Sequence, residues 1–154
     1  MPKPLLPKWK FMEDDLFIKP SLILGAGKGL FTKVYIEKED IVTEFTGEKI
    51  SHTVSLARFL MRQSHSLVHL NATYCIDSCV DKKCLATFIN DAKGILRVPY
   101  LRNNVKLVST NGRLFVIAIK NIKAGDELYL GYGKEYWQAM KNYKILERPR
   151  GHNA

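Results

Sequence analysis

The residues that could carry chemistry are densest near the C-terminal end, in the segment GDELYLGYGKEYW at 125–137. Tyr132 stands there between Gly131 and Gly133, and these glycines remove side-chain bulk from both sides of its ring. This setting suits a phenol hydroxyl that lines a narrow channel. Dense aromatic clusters also form ordinary core, so the segment taken alone leaves both interpretations open.

A second candidate site is the glycine cluster of Gly25, Gly27 and Gly29, with the spacing G-x-G-x-G. A dinucleotide-binding turn requires G-x-x-G at the start of a helix, and a phosphate-binding loop requires Gly-Lys followed by Ser or Thr. Here the glycines lead into the β-type segment LFTKVYI, so neither nucleotide motif is present. The cluster indicates a tight turn, either a plain hairpin or one whose backbone a ligand approaches closely.

Several short polar motifs follow apolar segments, where side chains of Asn and Asp stabilise turns. They are FTGE at 45–48, YCID at 74–77, FIND at 88–91 and the pair Asn103-Asn104. Each motif taken alone indicates only the end of a strand or a local turn.

The three cysteines, Cys75, Cys79 and Cys84, do not resemble a metal site. Their C-x3-C and C-x4-C spacings lack a fourth ligand at the distance that structural zinc requires. An odd, small number also argues against a disulfide framework and favours a reducing compartment. We therefore expect free or buried thiols and no metal.

The elements that must position these residues are mostly short strands, with two helices. Asn111-Gly112 tolerates the positive φ angles of a type I′ turn and so predicts a β-hairpin. Alternating βαβ units are absent, and the fold class is therefore mainly β with short helices. The predicted strands are 16–19, 41–45, 73–76, 105–108, 114–119 and 127–130; the predicted helices run from Ser51 or Thr53 to about Gln63 and from Lys134 to Leu146.

Length and composition set the remaining bounds. The chain has 154 residues, which is enough for one domain, and 46% of them are apolar, as in a globular protein. No apolar run is long enough to span a membrane, and the Pro- and Lys-rich start at 1–10 does not resemble a secretory signal. The net charge of +9 favours acidic partners such as nucleic acid or nucleosomes.

The order of the motifs is more informative than any one of them. The series G-x-G-x-G-L-F, F-x-G-E, Y-x-I-D, F-I-N-D, N-N-V and G-D-E-L-x-x-x-Y-G resembles the SET-domain lysine methyltransferases. The resemblance extends from about Asp15 to Trp137, and the ending GDELYLGYGKEYW is similar to that of compact, stand-alone SET proteins, including viral ones.

The resemblance implies a fold of small curved β-sheets around a knot-like core, in which the C-terminal part threads past the Asn-rich segment. It implies three regions: an N-terminal arm at 1–14, a SET domain at 15–133, and a C-terminal helix and tail at 134–154 that closes the cofactor site. The helix near 53–63 corresponds to the family's inserted helix, which helps to form the peptide groove.

The resemblance also implies S-adenosylmethionine as the cofactor. Its binding residues would be Ala26, Gly27 and Lys28 of the glycine-rich turn, the pair Asn90-Asp91, Tyr132, and Trp137 over the adenine; these positions follow from the family motifs. Asp91 stands where the family usually has His, a position at which much of the cofactor contact is made by the backbone.

Tyr132 matches the family's catalytic tyrosine, and Phe45, Leu130 and Tyr132 would line the substrate lysine channel. A narrow apolar channel disfavours a charged ammonium and so keeps the lysine amine nucleophilic. Tyr132 and backbone carbonyls would contact the methyl hydrogens through weak C–H···O bonds. Because Phe45 and Leu130 bring no hydroxyl into the channel, we expect room for di- or trimethylation. Asn104 matches the Asn that braces the knot, and Glu127 is expected to be structural.

The expected function is methyl transfer from S-adenosylmethionine to a protein lysine, on a histone or nucleosome, by a nuclear and intracellular protein. The expected contacts are this protein substrate and nucleic acid at the basic surface, with no membrane, and the protein is expected to be a monomer or a homodimer. One alternative is a catalytically inactive SET-like chromatin- or protein-binding module, which Asp91 and Phe45 favour. A second is a β-rich nucleic-acid-binding domain, which rests on charge alone.

Overall fold

The structure is a computed structural model that describes residues 13–64, 66–79, 81–94, 96 and 98–147, with side chains through 142. The predicted arm at 1–14 lies outside these residues except for Glu13 and Asp14, and the tail beyond Glu147 also lies outside them. The strands are β1 Leu16–Pro20, β2 Lys28–Thr32, β3 Ile41–Glu44, β4 Glu48–Ser51, β5 Leu67–His69, β6 Tyr74–Asp77, β7 Val105–Thr110 and β8 Arg113–Ala118; the α-helices are α1 His52–Leu60 and α2 Lys134–Glu147.

The strands form three small antiparallel sheets, in the orders β1-β2, β3-β8-β7 and β4-β6-β5. The expectation of a mainly β fold with short helices is confirmed. Apolar side chains of all three sheets meet in one main core, in which Leu30, Ile76 and Val116 are buried. The two-stranded sheet β1-β2 would be marginally stable alone, and packing on the shared core stabilises it.

The hairpin of β7 and β8 forms at Asn111-Gly112, as predicted. The φ angles there are 53° and 72°, both in the left-handed region that a type I′ turn needs. The turn fixes the register, in which Val105 faces Ala118 and Thr110 faces Arg113. This hairpin places Val105 and Leu107 beside the site described below.

Helix α1 begins where the sequence predicted it, because the Ser51 side chain accepts a hydrogen bond from the Val54 amide at 3.2 Å. It ends three residues before Gln63, after which Arg62 takes a positive φ of 56°. None of its residues is buried, and its apolar residues Leu56 and Leu60 are exposed by 58% and 67%.

One prediction of element type differs from the structure, and one segment that had no predicted type forms a helix. The apolar segment at 85–89, which the sequence left unassigned, begins with the short 3-10 helix Leu85–Phe88. Residues 127–130 were predicted to be strand-like, but they make only isolated bridges, to Phe31, Asn90 and Val105. Because two of these bridges are parallel and lie on opposite sides of the segment, the chain at 127–130 passes between 90 and 105.

No α-helix among the described residues is long and apolar enough to cross a membrane. Cys75, Cys79 and Cys84 form no disulfide bond with one another, and Cys75 and Cys84 are buried.

Candidate active site

The glycine-rich turn joins β1 to β2 and presents its backbone to the outside. The Ser21 amide donates to the Gly27 carbonyl at 2.8 Å, which closes the turn, and Gly25 and Gly27 have φ angles of 86° and 75°. A Cβ atom at Gly27 would meet nothing within 4 Å, so the space above the turn is open. A ligand could therefore approach the backbone of the turn at Gly27.

A buried carboxylate holds this turn from below. Glu127 is 2% exposed and accepts hydrogen bonds from the Ser21 hydroxyl at 2.7 Å, the Leu22 amide at 2.8 Å and the Tyr129 hydroxyl at 2.7 Å. A Cβ atom at Gly29 would lie 2.1 Å from Glu127 Oε1, so only glycine leaves space for the carboxylate. The shape of the turn therefore depends on a residue about a hundred positions away in sequence.

Asn90 connects the turn to the segment that carries Tyr132. Its side-chain Nδ2 donates to the Lys28 carbonyl at 2.9 Å, while its own carbonyl accepts from the Leu130 amide at 2.8 Å. The predicted cofactor residues at 26–28 and Asn90 thus lie together. The hydrogen bond from the Leu130 amide to Asn90 connects them to the predicted lysine channel.

Asp91 makes its side-chain contacts with protein donors. Its carboxylate accepts from the Tyr132 amide at 2.9 Å, Trp137 Nε1 at 2.8 Å, the Lys93 amide at 2.8 Å and Asn103 Nδ2 at 3.1 Å. Burial acts to raise the pKa of Asp91, but these hydrogen bonds, led by that of Tyr132, outweigh it and hold the pKa below its usual value. Asp91 is therefore ionised at neutral pH.

Three aromatic rings meet at the start of α2. Trp137 stacks on Tyr132 with ring centroids 5.8 Å apart, and Tyr136 meets Tyr132 edge-on at 4.9 Å. The Tyr132 hydroxyl donates to the Ile89 carbonyl. Burial, with smaller contributions from Tyr136 and Asp91, raises the pKa of Tyr132 far above its usual value, so its side chain is a neutral phenol.

A cavity of about 300 Å³ lies beside this phenol. Phe45, Leu130 and Tyr132, the three predicted channel residues, all line it, and Ile89, Leu107 and Tyr136 form further parts of its wall. The wall is mainly apolar, and the hydroxyls of Ser66, Thr87, Tyr132 and Tyr136 are among its polar groups. Such a cavity can hold an extended, largely apolar side chain with a polar end.

Sequence reasoning did not identify several residues of this site. Tyr136 and Ile89 line the cavity, and Gly94 provides the space that the Trp137 ring occupies. The turn-like sequence around Gly94 gave no reason to pair it with a tryptophan on a later helix. Glu127 was expected to be structural, but its contact with the glycine-rich turn was not predicted. A glycine inside a strand, such as Gly29, often marks the close approach of another group.

No group of three or more His, Cys, Asp or Glu side chains that could hold a metal ion occurs among the described residues.

Comparison with known proteins defines the class of this protein. The family described as "SET domain" matches residues 27–133, which is more than half of the chain. The chain therefore belongs to the SET-domain family, as the order of its motifs predicted.

Its relatives are named as lysine methyltransferases. The chain is 30% identical over 138 residues to histone-lysine N-methyltransferase EZH2 of Chaetomium thermophilum, covering 83% of this chain and 9% of the relative. It is 27% identical to N-lysine methyltransferase KMT5A-B of Xenopus laevis, covering 88% of this chain and 41% of the relative. The chain thus spans less than half the length of either.

Among solved structures, the fold is similar to that of the Chaetomium thermophilum Polycomb Repressive Complex 2. One structure, with the inhibitor GSK343, has a TM-score of 0.62 at 30% identity and covers 84% of this chain and 16% of that chain. Another, of ctPRC2 in an autoinhibited conformation bound to S-adenosylmethionine, has a TM-score of 0.62 at 29% identity and covers 87% and 17%.

SET methyltransferases use S-adenosylmethionine, and the residues of this chain fit that cofactor. The open space at Gly27 lets a ligand approach the backbone of the turn at 26–28, which Asn90 holds through the Lys28 carbonyl. The apolar cavity is lined by Tyr132 and by the two residues that precede it, Leu130 and Gly131. The turn at 26–28 and Asn90 are not among the residues that line this cavity.

Proposed function

We propose that this chain transfers methyl groups from S-adenosylmethionine to a lysine side chain of a protein. The observation that supports this most strongly is the neutral Tyr132 phenol, which lines an apolar cavity. Leu130, two residues before Tyr132, donates its amide hydrogen bond to the Asn90 carbonyl and so connects the cavity to the predicted cofactor residues. The residues that would hold the cofactor are those at 26–28 together with Asn90 and the backbone of Asp91, with Trp137 nearby.

The cofactor, when bound, supplies an electrophilic methyl group on a sulfonium centre. The protein's own contribution begins with the cavity, whose apolar wall of Phe45, Leu107 and Leu130 disfavours the ammonium form of an entering lysine by desolvation. A lysine amine in this cavity is thus more readily deprotonated and becomes a nucleophile.

Tyr132 then orients the reacting groups. Because its hydroxyl hydrogen is directed to the Ile89 carbonyl, its oxygen lone pairs remain available to accept weak hydrogen bonds. Its raised pKa keeps it a neutral phenol at alkaline pH as well as at neutral pH. Alignment and desolvation, rather than proton transfer by a strong base, would provide the rate enhancement.

The proposed substrate is a histone within a nucleosome, and the proposed location is the nucleus. The relatives' names include histone-lysine methyltransferases, and a net charge of +9 favours an anionic particle over a free cationic tail. Contact with nucleosomal DNA would make the reaction sensitive to salt.

The test measures methyl transfer to nucleosomes and to free histones by mass spectrometry at several salt concentrations. Wild type is compared with Tyr132→Phe and with Tyr100→Phe, a matched control at a tyrosine that is 80% exposed. We expect transfer by the wild type and by Tyr100→Phe, and a loss of about a hundredfold or more in Tyr132→Phe.

Isothermal calorimetry with S-adenosylmethionine separates the outcomes. Absence of both transfer and cofactor binding in the wild type would contradict the proposal and favour a binding module. Cofactor binding without transfer to any histone or nucleosome would contradict the proposed substrate and leave the proposed cofactor in place.

A further inference from the structure

The carboxylate of Asp91 is completely occupied by other parts of the protein. Oδ1 accepts from the Lys93 amide at 2.8 Å and Asn103 Nδ2 at 3.1 Å, and Oδ2 accepts from the Tyr132 amide at 2.9 Å and Trp137 Nε1 at 2.8 Å. Asp91 is 7% exposed. A carboxylate has about four lone-pair positions, so these four donors leave no acceptor site for a ligand.

The indole that bonds to Asp91 is held on three sides. Its ring lies on Tyr132 with an interplanar angle of 14°, its Nε1 meets Asp91, and its far edge lies against Gly94. A Cβ atom at Gly94 would be 2.3 Å from Trp137 Cζ2, so even a methyl group there would displace the ring.

Trp137 belongs to α2, and its contacts fix where that helix lies. Within the described part of the chain, α2 packs extensively on no other named strand or helix. Tyr136, the neighbour of Trp137 on α2, forms part of the cavity wall and meets the Tyr132 ring edge-on. The closure of the cavity by α2 therefore depends on the contacts of these two aromatic residues.

We propose that Asp91 is a positioning residue that joins α2 to the backbone of Tyr132 through Trp137 and thereby closes the cavity with Tyr136. Its side chain acts on the protein, and any contact of position 91 with the cofactor would be made by the backbone. The consequence for methyl transfer rests on the proposed function, whereas the link between Asp91 and Trp137 does not.

The link can be tested by fluorescence, because Trp9 and Trp137 are the two tryptophans of the chain. In a Trp9→Phe background, Trp137 becomes the single reporter of its own environment. Asp91→Asn replaces a pure acceptor by an amide, and Gly94→Ala displaces the ring without any change of charge. Asp126→Asn, at an exposed aspartate, is the matched control.

We expect Asp91→Asn and Gly94→Ala to shift the Trp137 emission to longer wavelength and to raise its acrylamide quenching constant by about threefold, since the indole moves towards solvent. Asp126→Asn should leave both unchanged. Unchanged emission and quenching in a folded Asp91→Asn protein would overturn the proposal. If Asp91→Asn does not fold, Gly94→Ala decides by the same criterion.

Activity provides a separate readout. In an active protein, Asp91→Asn should lower kcat/KM by roughly tenfold to a hundredfold, because Tyr132 and Tyr136 are no longer held in place. A fluorescence response without any methyl transfer by the wild type would contradict the proposed function and support the link. Full transfer activity in Asp91→Asn, together with unchanged Trp137 emission, would contradict the link and leave the proposed function standing.

Discussion

At the scale of single residues, the site combines the Tyr132 phenol with two apolar neighbours that bring no hydroxyl into the cavity. Phe45 and Leu130 are buried, with exposures of 5% and 6%, and both face the cavity beside Tyr132. Neither can anchor a water molecule or an amine by a hydrogen bond. A lysine that already carries a methyl group would therefore meet apolar contacts here, which is consistent with the expected di- or trimethylation.

Leu130→Tyr should shift the products towards monomethyl-lysine, because the larger ring and its hydroxyl reduce the space for an added methyl group. We expect the ratio of trimethyl to monomethyl product to fall by about tenfold. Intact-mass analysis of the reaction products provides the measurement, with Leu107→Met as a volume-conserving control in the same cavity. A wild type that makes only monomethyl-lysine would disprove the expectation for this channel.

The ionised state of Asp91 should appear in the pH dependence of stability. Its folded pKa lies below the ordinary value of 3.8, so its stabilising contribution is present above that value and is lost as the pH falls through the folded pKa. Urea unfolding of wild type and Asp91→Asn should differ by about 1.5–3 kcal/mol at pH 7. The difference should shrink below about pH 4; a difference that is the same from pH 7 to pH 3 would contradict this account.

At the scale of elements, the glycine-rich turn is a backbone surface supported by a distant carboxylate. Glu127 holds the first residues of the turn, and Asn90 holds its last, through the Lys28 carbonyl. The turn is thus fixed before any ligand binds. Such prior fixation reduces the entropy that ligand binding must overcome.

Glu127→Gln tests this support, because the Gln NH2 group would face either the Ser21 hydroxyl or the Leu22 amide and the Tyr129 hydroxyl, all of which donate to the carboxylate. We expect the affinity for S-adenosylmethionine to fall by about tenfold and the unfolding free energy by about 1.5–3 kcal/mol. Calorimetry and urea unfolding provide the two measurements. Glu135→Gln, at an exposed position on α2, is the control; an unchanged affinity in folded Glu127→Gln would show that the turn does not need the carboxylate.

Helix α1 shows how an element can be predicted while its surroundings are not. Its Ser51 cap and apolar residues gave its position, and Arg58 attaches it to the sheet by pairing with Glu48 and the buried Asp77, both at 2.8 Å. Its apolar side chains nevertheless lie largely in solvent. A periodic pattern indicates which residues share a face, but the tertiary fold decides what that face meets.

At the scale of the whole molecule, the segment at 127–130 lies between two parts of the chain that precede it. Asn104 secures this crossing, because its side chain donates to the Glu127 carbonyl at 2.9 Å and accepts from the Tyr129 amide at 2.7 Å. The crossing carries Leu130 and Tyr132 to the cavity. The integrity of the site therefore depends on the topology of the entire domain.

Asn104→Ala should leave two buried backbone groups without partners, and we expect it to lower the unfolding free energy by about 2–5 kcal/mol. Asn111→Gly, in the exposed hairpin turn with φ 53°, should change stability little, because glycine adopts that conformation freely. Urea unfolding measures both variants. A loss below about 1 kcal/mol for Asn104→Ala would mean that water satisfies these groups.

The sequence by itself determined the features that local rules and motif order control. The Asn111-Gly112 hairpin and the Ser51 helix start follow from the preferences of neighbouring residues, and the ordered motifs identified the SET family. Phe45, Leu130 and Tyr132 were assigned to one channel from that order, and they do line one cavity.

The tertiary structure alone decided which polar groups, far apart in sequence, form hydrogen bonds with each other. Asp91 bonds to Tyr132 and Trp137, 41 and 46 positions away, and Glu127 reaches Ser21 across 106 positions. No periodicity or spacing in the sequence predicts such pairs. They form only in the folded protein, where water is excluded and a buried carboxylate must accept hydrogen bonds from protein groups. The same exclusion of water raises the pKa of the Tyr132 phenol beside the apolar cavity.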